Sequence, residues 1–303
     1  MSKKISDIVL MSDIDGTLLS ERGGVPKRNI EALERFTAAG GRFGVATGRA
    51  LNITRPIVDC LPINFPCVMY NGGVTYSFEK EEYLDQVFLP RETVRYFEKI
   101  WQAFPDCGAI WVADDYFDLE GSTEEKHNWW LRQYSDTPMQ PIKLSNCTGP
   151  AYKALLVLAN EQRYKLLQEY LREHAADFAG VRFVYSDATM FEMLPLGSSK
   201  GDAIEKLAGI TGVKRENVVS IGDYHNDIEM LEFADISAAP LGAHDDVKAV
   251  ADLIVGPCHA GAVADLIEHM EELYSHNTPG IRPPGARIPY TNGGVMREMA
   301  WAR

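Results

Sequence analysis

The sequence predicts an α/β protein with an open parallel sheet as its core and a second, α+β domain inserted into that core. Short apolar segments that end in loops of small and polar residues occur near both ends of the chain, which is typical of buried parallel strands. Segments with helical spacing of apolar residues separate them. Between the two regions the pattern changes to hairpins and amphipathic helices, so the parallel-sheet domain is predicted to be discontinuous in sequence.

The N-terminal region begins with a predicted strand over residues 8–11, because an apolar run leads directly into the loop Ser-Asp-Ile-Asp-Gly. Apolar residues at near-helical spacing, among them Ile30 and Leu33, then predict a helix that ends at two glycines. Two more strands are predicted over residues 43–46 and 67–70, and each is followed by a polar loop. We expect these loops to form a site at the carboxyl ends of the strands.

The middle of the chain has a different pattern, which predicts an α+β insert over residues 84–187. A hairpin is predicted across residues 79–80, and the apolar stripe of Phe97, Ile100 and Phe104 predicts an amphipathic helix. Further strands are predicted over residues 109–112, 154–159, 181–185 and 190–194, with a helix over 164–174.

The alternating pattern returns after Lys200, with helices predicted over residues 202–208, near 226–233 and over 262–274, and strands over 218–221 and near Ile236 and Leu253. The predicted domains are therefore a core of residues 1–83 and 188–275, the insert over 84–187 and a tail over 276–303. The tail is rich in proline and arginine and has no helical or strand period. Disorder of the tail and docking of its basic side chains on an acidic surface are both open.

Composition and charge exclude several classes of protein. The 303 residues are 46% apolar, which is enough for two cores, and their net charge of −13 disfavours binding to nucleic acid or anionic lipid. The sequence has neither a signal peptide nor an apolar run of membrane-spanning length, so we expect a soluble protein. Five scattered cysteines without a Cys-x-x-Cys pair suit free thiols in a reducing cytoplasm.

Two carboxylates follow the first predicted strand. Asp13 and Asp15 lie two residues apart, so in extended backbone they project to the same side. Such neighbours divide their roles where a cation keeps one ionised as a nucleophile and the other has a raised pKa and acts as acid and base. Gly16 permits a tight turn and offers backbone amides to an anion, and Thr17 adds a hydroxyl. Taken alone, the pair could equally be an acidic turn that ends a strand.

A similar arrangement follows the strand predicted over residues 218–221. Asp223, Asn226 and Asp227 would converge with the first carboxylates if both strands lie in one sheet. Four carboxylates in one pocket imply a hard divalent cation with oxygen ligands, because no histidine or cysteine of this group offers a softer alternative. The alternative for this segment is a helix N-terminus with acidic residues in its first turn.

The set of motifs resembles the haloacid dehalogenase-like hydrolase superfamily. Its four ordered motifs are matched by residues 13–19, by Thr47-Gly48-Arg49, by Lys200 and by residues 222–227. The long insert, the turn Asn71-Gly72-Gly73 and residues 197–201 resemble the Cof-type subfamily IIB. The likeness covers residues 8–270 and implies a Rossmann-like parallel sheet core, with the insert as an α+β cap domain.

The resemblance also implies roles for single residues. Asp13 would be the nucleophile that becomes an aspartyl phosphate, and Asp15 the acid and then the base. Thr47 would bind phosphate, and Lys200 would neutralise both phosphate and nucleophile. Mg²⁺ would be held by the Asp13 carboxylate, the Asp15 carbonyl and Asp223, with Asp227 supporting the site. The remaining substrate-binding positions would be Gly16, Gly48, Asn71, Gly72 and Asn226.

The charges fit these roles, because Mg²⁺ and one lysine must cancel the repulsion between a phosphomonoester dianion and the carboxylates. Without the other motifs, Lys200 would be taken for a solvated residue that starts a helix, and Thr47 for the end of a strand.

The predicted function is Mg²⁺-dependent hydrolysis of a small phosphomonoester, a sugar phosphate or a phosphorylated cofactor. A phosphomutase or other phosphotransferase that uses the same aspartyl phosphate is the alternative, and a non-catalytic ligand-sensing protein is a weaker one. A dehalogenase is disfavoured, because displacing halide from carbon needs neither Mg²⁺ nor the acid Asp15. The sequence leaves open the substrate and the oligomeric state. It also leaves open the role of the cap aromatics, because His127, Trp129 and Trp130 either line a pocket or pack in a core.

Overall fold

The structure is a computed structural model that describes residues 3–20, 23–114, 116–119, 140–158, 161–187 and 190–275. The α-helices in these residues are α1 (Lys27–Ala38), α2 (Leu51–Val58), α3 (Thr93–Ala103), α4 (Glu161–Glu173), α5 (Lys200–Thr211), α6 (Ile228–Phe233), α7 (Asp245–Val250) and α8 (Ala262–Ser275). The strands are β1 (Val9–Ser12), β2 (Arg42–Val45), β3 (Cys67–Met69), β4 (Val74–Ser77), β5 (Glu82–Gln86), β6 (Gly108–Val112), β7 (Tyr116–Leu119), β8 (Gln140–Ile142), β9 (Lys153–Val157), β10 (Val181–Asp187), β11 (Met190–Pro195), β12 (Val218–Ile221), β13 (Ile236–Pro240) and β14 (Leu253–Val255).

The central sheet has five parallel strands in the order β14-β13-β12-β1-β2. Its middle pair joins distant parts of the chain, since Val9 of β1 is in register with Val218 of β12. The predicted α/β fold class is confirmed, and the strands predicted over residues 8–11 and 218–221 agree with β1 and β12 to within one residue. This pairing places the loops after β1 and β12 at the same edge of the sheet.

Helices cover both faces of the central sheet. Leu10 of β1 belongs to a buried cluster with Phe36 of α1 and Ile267 of α8. The next residue along the strand, Met11, belongs to a second cluster that includes Ile204 of α5 and Met230 of α6. Adjacent strand residues therefore face opposite cores, as the period of two in a strand requires.

The third predicted strand lies in a different sheet from the one expected. β3 pairs antiparallel with β4, and β4 with β5, so that these strands form a separate three-stranded sheet. Its link to β2 is one parallel bridge between Ala46 and Val68, extended by a 2.8 Å hydrogen bond from Thr47 N to Val68 O. The chain leaves β2 at this point to form a loop, and β4 then folds back along β3. The hairpin predicted across residues 79–80 corresponds to β4 and β5.

The insert contains a six-stranded sheet in the order β10-β11-β9-β6-β7-β8, antiparallel except for the pair β7 and β8. Aromatic side chains bring this sheet and its helices together: Phe178 has edge contacts with Tyr96 of α3 and with Phe183 of β10, and Phe183 stacks on Phe191 of β11. On neighbouring strands, Lys153 and Glu192 form a fully buried ion pair with a 2.9 Å contact.

The described residues divide into two compact units. One contains the described chain up to Arg49, Thr54–Gln86 and the described chain from Ser199, and the other contains Ala50–Ile53 and the described part of Val87–Ser198. The second unit continues past the predicted boundary at residue 187, because β11 belongs to its sheet. That the two units act as core and cap stays a prediction. The tail over residues 276–303, and His127, Trp129 and Trp130, lie outside the described residues.

Within the described ranges, none of the helices has the length and apolar character needed to cross a membrane. All five cysteines lie in described residues, and none of them forms a disulfide.

Candidate active site

The first part of the site is the turn that follows β1. Asp13 continues the strand pairing, since its N donates to Ile221 O of β12 at 2.9 Å, and its side chain is buried. Gly16 has a left-handed φ of 75°, and a methyl group on its Cα would overlap the carboxylate of Asp223. Thr17 Oγ1 donates a 2.7 Å hydrogen bond to Asp223 Oδ1. The glycine therefore allows the turn after β1 and the loop after β12 to come into contact.

Lys200 is the first residue of α5, and its side chain extends to the same place. Ser199 caps the N-terminus of this helix, because its Oγ accepts a 2.9 Å hydrogen bond from Asp202 N. The Lys200 side chain is completely buried, and Nζ donates to Asp13 Oδ1 and to Asp227 Oδ1, each at 2.5 Å. A single ammonium group thus joins two carboxylates that follow different strands and are far apart in sequence.

Asp227 stabilises the conformation of the loop after β12. Its Oδ2 accepts hydrogen bonds from Asp223 N at 2.9 Å and Tyr224 N at 3.1 Å, while its Oδ1 accepts from Lys200. Both oxygens are therefore engaged by groups of this chain. This geometry suits the predicted supporting role of Asp227 better than direct coordination of a metal.

The carboxylates carry more negative charge than the one ammonium group neutralises. Burial would lower the pKa of Lys200, but the charges of Asp13 and Asp227 outweigh it and hold this pKa above its ordinary value. Burial raises the pKa of Asp13 well above its ordinary value, with Lys200 opposing and the other carboxylates adding to the effect. Burial and the charge of Asp227 also raise the pKa of Asp223 to about 7, although the Thr17 hydrogen bond opposes them.

The donor set fits a hard divalent cation. Asp13, Asp223 and Asp227 each offer a carboxylate oxygen, and the three oxygens lie within 4.8 Å of one another. Oxygen donors of this kind suit Mg²⁺, and the raised pKa values of Asp13 and Asp223 indicate negative charge that a cation would compensate. The Asp15 carboxylate does not belong to this group, which is consistent with its predicted contribution through the backbone carbonyl.

Asp15 has a partner that the sequence does not indicate. Its carboxylate forms a bidentate salt bridge with Arg49, from Nε to Oδ2 at 2.7 Å and from Nη2 to Oδ1 at 2.6 Å. The Asp15 side chain is partly exposed, whereas that of Asp13 is buried and contacts the ammonium group of Lys200. The two neighbouring carboxylates therefore have different partners, a guanidinium group for Asp15 and an ammonium group for Asp13.

Thr47 and Gly48 lie in the loop after β2. Thr47 is buried, its Oγ1 accepts a hydrogen bond from Arg49 N at 3.2 Å, and its carbonyl accepts from Asn71 N at 3.0 Å. Gly48 lies against the Asn71 side chain. This loop therefore positions a hydroxyl group at the end of β2 and connects it to the turn after β3.

Asn71, Gly72 and Asn226 bring two predicted binding segments together. Asn226 Nδ2 donates to Asn71 Oδ1 at 3.0 Å, although the two residues come from different loops. The turn after β3 is strained, because Tyr70 and Asn71 have φ values of 53° and 54°. Gly72 has a φ of 100°, and a methyl group there would overlap the backbone of Ser199 at the start of α5. The strain is therefore located where two loops of the site meet.

All the site residues predicted from the sequence lie in one compact unit. The catalytic and binding roles assigned to them stay predictions. Arg49 is a residue of the site to which the sequence assigns no role, although it lies within the motif Thr47-Gly48-Arg49. The available signal was its fixed position two residues after Thr47, but nothing local to that motif identifies Asp15 as its partner.

The chain matches the family model described as haloacid dehalogenase-like hydrolase over residues 10–267. The match spans the site from Asp13 to Asp227 and includes the insert.

Two curated relatives are similar over most of their length. Pyridoxal phosphate phosphatase YbhA of Escherichia coli (strain K12) is 27% identical over 273 residues, covering 88% of this chain and 98% of the relative. The 5-amino-6-(5-phospho-D-ribitylamino)uracil phosphatase YwtE of Bacillus subtilis (strain 168) is 26% identical over 281 residues, covering 85% of this chain and 96% of the relative.

Solved structures share the fold. A haloacid dehalogenase-like hydrolase from Bacteroides thetaiotaomicron superposes with a TM-score of 0.72 at 25% identity, covering 87% of this chain and 99% of that one. The subclass IIB sugar phosphatase BT4131 superposes with a TM-score of 0.75 at 23% identity, covering 87% and 98%.

Proposed function

The chain belongs to the haloacid dehalogenase-like hydrolase family, as its motifs predict, and we propose that it is a Mg²⁺-dependent phosphatase that works through an aspartyl phosphate on Asp13. The substrate is a small phosphomonoester, either a sugar phosphate or a phosphorylated cofactor. The relatives of known name support this class, since one is named for pyridoxal phosphate and another for a phosphorylated ribitylaminouracil.

The observation that carries the proposal is the convergence of four charged side chains from three distant segments. Lys200 contacts Asp13 and Asp227 at 2.5 Å, and the Asp223 carboxylate lies within 4.8 Å of the other two. A buried cluster of this kind is costly for stability unless a ligand uses it. An anionic substrate and a cation together satisfy both signs of charge in the site.

Asp13 performs the first step. Its carboxylate attacks phosphorus, an O–P bond forms, and the P–O bond to the leaving group breaks. Lys200 keeps one Asp13 oxygen in a fixed position and reduces the repulsion between the carboxylate and the phosphate dianion. Asp13, Asp223 and the Asp15 carbonyl would hold Mg²⁺, which would supply the additional positive charge that this approach requires.

Asp15 acts as the general acid and then as the general base. In its protonated form it donates a proton to the leaving-group oxygen in the first step, and as a carboxylate it accepts one from water in the second. Water oxygen then bonds to phosphorus, the Asp13–phosphate bond breaks, and inorganic phosphate leaves with Asp13 restored. Arg49 holds Asp15 by two hydrogen bonds, which orient the carboxylate for both steps.

Thr47, Asn226 and the neighbouring backbone complete the phosphate site. The Thr47 hydroxyl and the Asn226 amide are uncharged donors, which orient the phosphate oxygens without adding charge. Gly16, Gly48, Asn71 and Gly72 shape the loops around them. The Asn71–Asn226 hydrogen bond keeps the loops after β3 and β12 together.

The decisive experiment measures phosphate release from p-nitrophenyl phosphate and a panel of phosphomonoesters, with Mg²⁺ and with excess EDTA. Native protein is compared with Asp13→Asn and with the matched control Asp59→Asn, which changes an exposed carboxylate. We expect Mg²⁺-dependent release that Asp13→Asn lowers by at least about a thousandfold and Asp59→Asn leaves unchanged.

Borohydride reduction of the protein during turnover tests the covalent step, because reduction of an acyl phosphate converts the aspartate to homoserine. We expect this conversion at position 13, detected by peptide mass spectrometry. Full activity of Asp13→Asn, or activity that persists in EDTA, would contradict the proposal. Transfer of the phosphoryl group to a second hydroxyl without phosphate release would indicate a phosphotransferase instead.

A further inference from the structure

A second group of metal-ligating side chains lies beside the carboxylate cluster and does not belong to it. His225, His244 and Asp246 each offer one ligand atom, and these atoms lie within 4.8 Å of one another. The proposed phosphatase mechanism uses none of the three side chains. They also differ in chemistry from Asp13, Asp223 and Asp227, which offer oxygen atoms alone.

The distances within this group are close to those of a coordination shell. His225 Nε2 lies 3.2 Å from Asp246 Oδ2, and His244 Nδ1 lies 3.6 Å from the same oxygen. Two ligands of a tetrahedral ion with bonds near 2.0–2.1 Å lie roughly 3.3 Å apart. The two imidazole rings have centroids 4.2 Å apart, at an interplanar angle of 51°. His244 Nδ1 also accepts a 3.3 Å hydrogen bond from Asp246 N, and a bound ion would replace this contact. Small side-chain movements would then bring all three ligand atoms around one ion.

The group is assembled from two loops of the same unit. His225 lies in the short turn His225–Asp227 after β12, and its side chain is largely buried. His244 precedes α7, and its N donates a 3.0 Å hydrogen bond to the carbonyl of Asp223. Asp246 lies in the first turn of α7. The backbone thus fixes the relative positions of the loops that carry the ligands.

The hydrogen bonds of the protein do not account fully for the His225 ring. Its Nε2 contacts Asp246, but its Nδ1 is buried and has no hydrogen-bond partner among the described residues. Buried ring nitrogens are usually satisfied, because leaving one without a partner costs free energy. Because Nε2 is the nitrogen that faces Asp246, it is the atom that can bind an ion, and Nδ1 on the other side of the ring would carry the proton.

The donor set identifies the class of ion. Two imidazole nitrogens and one carboxylate oxygen suit borderline transition cations such as Zn²⁺ and Co²⁺, whereas Mg²⁺ prefers oxygen ligands alone. Three protein ligands leave at least one position for water, as in zinc sites that are not fully enclosed by protein. The side chains of His244 and Asp246 are partly exposed, which gives an ion a path from solvent.

We propose that His225, His244 and Asp246 bind a divalent transition cation of the Zn²⁺ class, at a site separate from the carboxylate cluster. The site shares a loop with the candidate active site. Because His225 is next to Asn226, and His244 N holds the Asp223 carbonyl, an ion bound here restrains the loop that carries Asp223, Asn226 and Asp227. Binding at this site does not depend on the phosphatase proposal.

The test uses Co²⁺, whose visible absorption reports coordination by nitrogen and a low coordination number. The full chain is freed of metals with EDTA, dialysed, and titrated with Co²⁺ in the presence of excess Mg²⁺, which occupies the carboxylate cluster. We expect one equivalent of Co²⁺ to bind with visible bands, and Zn²⁺ to displace it. Isothermal titration with Zn²⁺ under the same conditions gives the stoichiometry without any activity assay.

Variants then locate the binding. His244→Gln and Asp246→Asn are expected to weaken Co²⁺ binding by at least about tenfold and to remove the visible bands. The control His259→Gln, which changes an exposed histidine outside the group, should bind as the native protein does. Circular dichroism checks that each variant folds. The proposal is wrong if the native protein binds no Co²⁺ or Zn²⁺ beyond the carboxylate cluster, or if all variants bind equally.

Discussion

At the scale of single residues, Gly16 has a steric requirement that connects two loops of the site. Its left-handed backbone directs the chain from Asp15 to Thr17, and its missing side chain leaves room for the Asp223 carboxylate. A β-carbon at this position is disfavoured both by the backbone and by the contact.

Gly16→Ala should therefore lower phosphatase activity by at least about a hundredfold, because the displaced Asp223 would no longer lie beside Asp13. The measurement is kcat with saturating Mg²⁺, together with the Mg²⁺ concentration at half-maximal activity, which should rise.

The matched control is Gly209→Ala on α5, where a β-carbon meets no atom within 4 Å. This change should leave activity unaltered and raise the free energy of unfolding by up to about 1 kcal/mol, because alanine favours a helix. Equal activities of the two alanine variants would contradict the steric explanation.

Arg49 is the second residue whose role depends on geometry. It holds Asp15 with two parallel hydrogen bonds, and a lysine cannot reproduce this planar, bidentate arrangement. Arg49→Lys should lower kcat by roughly ten- to a hundredfold while the protein keeps its fold, because the proposed acid loses its orientation.

The control for Arg49 is Arg35→Lys, since the ion pairs of Arg35 with described residues are long contacts with Glu268 and Glu271 on the surface of α8. We expect native kcat for this variant. Steady-state kinetics of both variants on one substrate is the measurement, and native kcat for Arg49→Lys would remove Arg49 from the proposed mechanism.

At the scale of secondary-structure elements, the buried ion pair in the insert is the most consequential contact. Lys153 on β9 and Glu192 on β11 lie on adjacent strands, and each is about 1% exposed. Two opposite charges in such a position are tolerated because they are paired, and removal of one takes from the other, still buried, the counter-charge that lies 2.9 Å away.

Lys153→Met should lower the free energy of unfolding by about 3–5 kcal/mol, whereas the double variant Lys153→Met, Glu192→Leu should recover most of that loss. Chemical denaturation of the single and double variants measures the difference. An equal loss in both variants would show that the charge of Glu192 is not the cause of the instability.

At the scale of the whole molecule, the excess of acidic groups links stability to pH and to cations. The chain carries a net charge of −13, and burial raises the pKa of Asp223 to about 7. An unfolded aspartate has a pKa of about 3.9, so between these two values the folded protein binds more protons than the unfolded protein. The free energy of unfolding of the metal-free protein therefore falls as the pH rises through this range.

Metal-free protein should consequently have a higher Tm at about pH 5.5 than at about pH 7.5, by on the order of a few °C. Thermal denaturation in EDTA measures this difference. Saturating Mg²⁺ should reduce it, because a cation that binds the ionised carboxylates stabilises the folded state at the higher pH.

Asp223→Asn provides the control for this pH dependence. The variant should lose activity, yet in EDTA at neutral pH it should be more stable than the native protein, since one buried charge is removed. If its Tm varied with pH as much as the native Tm, Asp223 would not be the titrating group.

The sequence determined those features of this protein that depend on local pattern. The apolar run of residues 8–11 predicted β1, because a strand buried on both faces needs apolar residues at every position. The ordered motifs around Asp13, Thr47, Lys200 and Asp223 predicted both the family and the residues that meet at the edge of the sheet.

Only the tertiary structure decided which distant groups are partners. The pairing of Asp15 with Arg49, the position of β3 in a separate sheet, and the approach of His225 to His244 depend on how loops pack after the strands have aligned. These contacts join residues that no local period relates. Propensity and spacing act over a few residues of chain, whereas electrostatic pairing and steric fit act through space, and the fold must form before they can take effect.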